Sequence, residues 1–212
     1  MFRRNNGAIV GSLSEAEAEL LRHAAEQMLL LLGATAPGDG EPAAPPAAAD
    51  PLEELTGLGT LPSGPPSDPA LRRLFPDGYR DDATAAGELR RFTEDDLRAG
   101  KVERLRRLYA AVPAGGGEVR LDDAAADAWL RALTDLRLVL GVRLDIDADT
   151  DPYELAHEAL AGGDEAMATS ALLYHYAGAL SQTLVDALTG AEPFDVGPFD
   201  AGPFDAGPFG TR

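Results

Sequence analysis

Apolar residues recur along this chain mostly at three- and four-residue intervals, the spacing of helices that bury one face. Ser12 and Ser14 each precede a glutamate by three residues (Glu15 and Glu17), a capping-box spacing that predicts a helix start. Leu20, Leu21, Met28, Leu31 and Leu32 continue that helix until Gly33 stops it. Asp50-Pro51 and Asp68-Pro69 each place a cap residue before a proline at the first helical position, predicting a short helix at 51–56 and another carrying Leu71 and Leu74. A longer helical region is predicted over 82–111, kinking or restarting at Thr93, with Leu97, Leu105, Leu108 and Val112 on one face. Asp122 caps a predicted helix running to 143. There Trp129, Leu133, Leu136 and Leu140 form a core stripe, and Leu130, Leu138, Val139 and Val142 fill much of the remaining circumference. A helix apolar on most sides is central, so 122–144 is expected to pack against the first and last helices. Asp151-Pro152 opens a short helix that Gly162-Gly163 breaks, and a last helix spans 164–188.

Two short segments alternate as strands do: Ala8 to Val10, and Val119-Arg120-Leu121. The predicted fold class is therefore mainly α, a compact bundle of about five to six helices with at most a tiny two-stranded β ribbon. The expected organisation is a strand and first helix over 1–33, a Pro/Ala/Gly-rich insertion over 34–67, and a main helical domain over 68–190. Residues 191–212 form a tail in which Pro-Phe-Asp-x-Gly recurs. Pro and Gly in every unit oppose helix and ladder pairing. Disorder is expected over 34–50 and 191–212. The tail reads as a low-complexity segment from local duplication; the alternative reading is a multivalent sticker, with Phe as anchor and Asp as solubiliser.

Composition supports the helical reading. Ile and Val together number 10 against 31 Leu, too few β-branched residues for a sandwich or a parallel sheet. No cysteine is present, which excludes disulfides, thiolate metal sites and thiol redox chemistry. Acids outnumber bases 36 to 18, a net charge of −18 that repels a polyanion at long range. The longest apolar run, Met28 to Leu32, is far too short to span a bilayer. No secretory apolar region follows Arg3 and Arg4, so a cytoplasmic protein is expected.

The segment from Trp129 to Leu144 ends in Asp-Leu-Arg-Leu-Val-Leu-Gly-Val-Arg-Leu. It resembles a motif of an actinobacterial family of short helical proteins, a domain of unknown function whose members include the actinomycete oxidative-stress transcriptional regulator. The turn at Gly7, the capped Leu-rich first helix and the stretch from Leu173-Tyr174-His175-Tyr176 to Leu188 fit the same family. The likeness covers roughly 3–33 and 68–190. It implies a helical regulatory protein, acting on transcription through protein contacts. A thiol-based response is impossible in this chain, which has no cysteine.

Candidate chemistry is sparse. Asp147, Asp149, Asp151 and Glu158 match the acid spacing of a calcium loop, but the sixth position, which needs a glycine, is Pro152. These acids read as a connector and a helix cap. His23, His157 and His175 lack metal-ligand spacing, and His175 reads as a core or boundary residue between two tyrosines. Ser181 and Asp186 near His175 make a nominal triad that nothing in the sequence holds together. No catalytic, cofactor-binding or metal-binding residue is assigned, and no cofactor is expected. Asp135 is spaced to pair with Arg131, while Arg137, set among leucines, needs a partner or serves as an interface anchor.

Ten of the 18 bases fall between 72 and 107. Arg104, Arg106 and Arg107 are placed on the outward side of their helix, with Arg98 and Lys101 flanking the apolar stripe. This is the face on which nucleic acid could be met, and Asp95, Asp96 and Glu103 dilute it. Arg104, Arg106, Arg107 and Arg137 are thus the candidate partner contacts. Two functional classes remain. One is a non-enzymatic regulator with a protein partner, the transcription machinery being the candidate, in which charge disfavours direct DNA contact and no membrane is involved. The other is a small enzyme or enzyme-associated factor in sulfur metabolism.

Overall fold

In a computed structural model of the chain, residues 1–37 and 64–191 are described. The elements in order are β1 (Arg3–Asn5), β2 (Ala8–Leu13), α1 (Glu15–Leu31), α2 (Pro69–Leu74), α3 (Ala83–Ala111), β3 (Gly117–Leu121), α4 (Asp123–Arg143), α5 (Pro152–Gly162) and α6 (Glu165–Thr189). The fold is mainly α. The short helix expected at 51–56 and the disorder expected over 38–50 and 192–212 lie outside the described residues. Residues 34–37, expected to belong to the loose insertion, instead continue the packed structure, with Ala36 buried.

The helix starts follow from local chemistry. Ser14 and Glu17 form a complete capping box, with the Glu17 carboxylate accepting from the Ser14 backbone N–H at 2.7 Å. Asp68, Asp82, Asp122, Asp151 and Asp164 each cap the helix that follows, their carboxylates accepting first-turn N–H groups. Thr93 does not restart a helix. Its hydroxyl donates to the Leu89 carbonyl one turn back, at 2.9 Å, so α3 runs unbroken past it.

The sheet has three strands, one more than the expected ribbon. β2 lies between β1 and β3, both antiparallel to it. The extra strand, Arg3-Arg4-Asn5, has no apolar alternation to announce it. It forms through a two-residue turn at Asn6 and Gly7, whose φ values of 49° and 81° are those of the tight turns that match strand twist.

Beneath the sheet, Phe2 stands edge-on to Trp129, ring centroids 5.5 Å apart. A Cβ at Gly11 would come within 2.7 Å of the Phe2 ring, so only glycine admits that ring at this point. Trp129, Leu133 and Leu136 are buried, and Leu140 is half-buried at the rim. Helix α4 packs mainly along α6, α3 and α2, and less along α1 than expected, because α1 lies chiefly on α3. On α3, Leu105, Leu108 and Val112 enter the core, but Leu97 is 53% exposed. Helices α5 and α6 pack along each other around a separate small core of Ala156, Ala171 and Leu172.

Candidate partner-binding face

The inner face of α3 is polar from Arg90 to Lys101. Arg90, Glu94, Arg98 and Lys101 follow one another at three- and four-residue steps, so they share a side. Arg90 donates to Glu94 at 2.8 Å and to the Phe75 carbonyl at 3.3 Å, and it also pairs with Asp77. The other Glu94 oxygen accepts from Arg98 at 2.8 Å. Arg90 and Glu94 are both buried. Burial alone would lower the Arg90 guanidinium's affinity for its proton. Hydrogen bonds to Glu94 and Asp77 outweigh it and leave the pKa raised. Arg98 also lies over the Phe75 ring, 4.6 Å from its centroid, and donates to the Leu32 carbonyl at the end of α1. Lys101 reaches across to Asp135 of α4 at 2.6 Å. The expected Arg131–Asp135 pair does not form, because Asp135 faces α3. Arg131 turns outward to Asp127 instead, at 2.8 Å.

The structure does not bring Arg104, Arg106 and Arg107 onto one exposed surface. Only Arg107 is exposed, and it is paired with Glu103 at 2.8 Å. Arg106 is half-buried and donates to the Thr35 carbonyl at 3.4 Å. Arg104 is half-buried too, and its Nε is enclosed with no hydrogen-bond partner among the described residues.

Arg137 lies between α4 and α6. Its guanidinium carbon is 4.7 Å from the Tyr174 ring centroid, and Nη2 donates to the Tyr174 hydroxyl at 3.2 Å. The pair packs over Gly178 of α6 and Gly141 of α4, where an added Cβ would stand 3.5 Å from the guanidinium and 3.6 Å from the Tyr174 ring, ordinary van der Waals contact.

The other candidates fall apart. Asp147 accepts from the Thr150 hydroxyl at 2.7 Å and the Asp149 backbone at 3.0 Å, and these bonds hold its carboxyl below the usual carboxylate range. Asp151 caps α5. The supposed calcium acids thus serve a turn and a cap, and no group of three or more potential metal ligands occurs among the described residues. His175 is exposed, not enclosed between its tyrosines, and faces Tyr153, which also meets His157. The Ser181 hydroxyl donates to the Ala177 carbonyl of its own helix, and Asp186 accepts from Gln182. The Ser181 hydroxyl is thereby committed to its own helix and not to His175. A crevice between α1, α3 and α4 is lined by Leu21, Met28, Leu105 and Leu133 with other apolar side chains, and it holds no titratable group.

Sequence reasoning missed the Arg90–Glu94–Arg98 column. Its signal was available as opposite charges four residues apart, but burial of such a row contradicts the rule that core faces are apolar.

A family model described as a domain of unknown function (DUF2017) matches residues 1–188. The chain is 35% identical over 193 residues to the oxidative stress regulator AosR of Mycobacterium tuberculosis, spanning 85% of this chain and 82% of that protein. The Mycobacterium bovis protein of the same name gives the same figures. The putative oxidative stress regulator AosR of Mycobacterium leprae is 33% identical over 144 residues, 62% of this chain and 63% of its own length. No solved structure matches the chain.

Proposed function

The chain belongs to the DUF2017 family, and from that premise we propose that it is a non-enzymatic regulator in the oxidative-stress response, acting on transcription through protein–protein contacts. The similar mycobacterial proteins carry the name oxidative stress regulator. The observation that carries the mode of action is the charge on α3. This helix holds many of the bases, yet Arg90, Arg98, Lys101 and Arg107 are directed into ion pairs within the molecule. A phosphate backbone needs bases free to displace its counterions, and the net charge of −18 opposes its approach. A protein surface makes no such demand. Arg137 and the exposed Arg107 are the contacts this reading favours. With no cysteine in the chain, the oxidant signal reaches it without thiol chemistry of its own. No helix among the described residues is long and apolar enough to cross a membrane, and we place the protein in the cytoplasm with the transcription machinery.

Co-sedimentation with purified actinobacterial RNA polymerase, beside a gel-shift titration with a random duplex, tests the reading. A polymerase complex weakened by Arg107→Glu or Arg137→Ala is expected, with duplex binding at ~10⁻⁴ M or weaker at physiological salt. Tight, salt-sensitive duplex binding with no polymerase complex would overturn it.

A further inference from the structure

The hydrogen-bonding phase of the sheet fixes which backbone groups of β3 are unused. The two-residue turn at Asn6-Gly7 closes on the pair Asn5 and Ala8, which in such a hairpin exchange both hydrogen bonds. Bonded and non-bonded pairs alternate along an antiparallel ladder. Arg3 and Val10 are therefore also a bonded pair, and Ile9, Gly11 and Leu13 turn their N–H and C=O groups the other way, toward β3. Their partners there are Leu121, Val119 and Gly117. The N–H and C=O groups of Glu118 and Arg120 consequently point away from the sheet. β3 is an edge strand, and no other described element hydrogen-bonds along that edge. Both side chains are exposed and lie on the outer face, beside Ser12 and Val10 respectively. Neither has an ion-pair or side-chain hydrogen-bond partner among the described residues.

We propose that the β3 edge is a self-association surface, on which a second copy of this chain pairs β3 to β3 antiparallel about Val119, giving a two-fold dimer with a continuous six-stranded sheet. Charge selects this occupant and this register. With Val119 opposite Val119 of the partner subunit, Glu118 stands opposite Arg120 of the partner subunit, and the two-fold axis repeats the pair. Both pairs use the outward backbone groups, so four main-chain hydrogen bonds form. Shifting the centre to Glu118 sets glutamate against glutamate, and shifting it to Arg120 sets arginine against arginine. A shift by one residue loses the match of donors to acceptors. Like charges directly opposite destabilise a strand pair and opposite ones stabilise it. The strand thus complements itself in a single register. This surface is separate from α3 and does not depend on the transcriptional reading.

Sedimentation velocity of the full chain from ~1 to ~200 µM, a range that brackets a weak dimer, reads the association directly. A concentration-dependent monomer–dimer equilibrium is expected. Glu118→Arg or Arg120→Glu alone, each turning two attractive pairs repulsive, should weaken the dimer roughly tenfold or more. The double variant, Glu118→Arg with Arg120→Glu, restores complementarity and should recover the dimer to within about threefold. Amide exchange supplies a second measurement on the unaltered chain. Glu118 and Arg120 should exchange more slowly as concentration rises, while Val119 and Leu121 stay protected throughout. A chain that is monomeric across the range, single variants that dimerise as before, or a double variant that stays monomeric would each overturn the proposal.

Discussion

Trp129 is the largest side chain buried in the core of the described residues. It is 1% exposed, meets Phe2 edge-on, and stands where α4 backs the sheet. Its indole N–H has no hydrogen-bond partner among the described residues, so its contribution is packing alone. Trp129→Ala should cost ~3–5 kcal/mol, as for other large core aromatics. Trp129→Phe should cost clearly less, since no hydrogen bond is lost and most of the volume is kept. Urea unfolding of both variants decides the point, and equal losses would mean the N–H contributes. That Trp129 belongs to a core was legible from its stripe with Leu133 and Leu136. That Phe2 covers it was not, because a single aromatic beside Met1 has no periodicity to place it.

At the scale of elements, the sequence spoke most clearly where one residue decides a boundary. Asp68-Pro69, Asp151-Pro152, the Ser14 capping box and Asp122 start helices whose N–H groups need a local acceptor, and these starts lie where expected. The faces of α3 were harder to read, because its buried side is charged and its Leu97 and Phe92 are exposed. Hydrophobic periodicity cannot report a seam held by guanidinium and carboxylate. The Lys101–Asp135 bridge shows what such a seam is worth. Its side chains are 13% and 10% exposed. Asp135→Ala, which strands the ammonium, should cost on the order of 3 kcal/mol. Lys101→Met together with Asp135→Leu should cost much less, because the desolvation of both charges is avoided along with their attraction. A double variant no more stable than Asp135→Ala alone would show that the bridge is a net stabiliser.

At the scale of the molecule, one exposed pair joins distant parts of the chain. Asp68 caps α2 and accepts from Arg143 at the end of α4, at 2.6 Å. The Arg143 hydrogen bond, with help from the α2 backbone, overcomes partial burial and holds the Asp68 carboxyl below the usual carboxylate range. A carboxyl whose pKa is depressed by folding contributes stability above its unfolded pKa, and that contribution fades as pH falls through the folded value. The contribution is therefore complete at neutral pH, begins to fade near the unfolded value of about 4, and is lost as pH falls through the folded value. Asp68→Asn keeps a capping side chain but removes the charge. Its melting temperature should lie below that of the unaltered protein near neutral pH and converge with it in acid. A gap that persists once Asp68 itself is protonated in the folded state would assign the effect to the cap and not to the charge.

The seam between the first strand and the last helix has a consequence for how the protein is made. The Phe2 backbone donates to Thr183, and Arg4 donates to the Ala187 carbonyl. On the ribosome β1 emerges well before the surface it docks against, which lies some 180 residues further along the chain. The hairpin of β1 and β2 must wait, unpaired with β3 and uncovered by α6, while more than a hundred further residues are added. Closing so long a loop is slow compared with forming local helices. The nascent chain therefore carries an open β2 edge until β3 emerges, and an uncovered β1 until α6 follows. Through that interval it is a natural client for the chaperones that shield apolar surface.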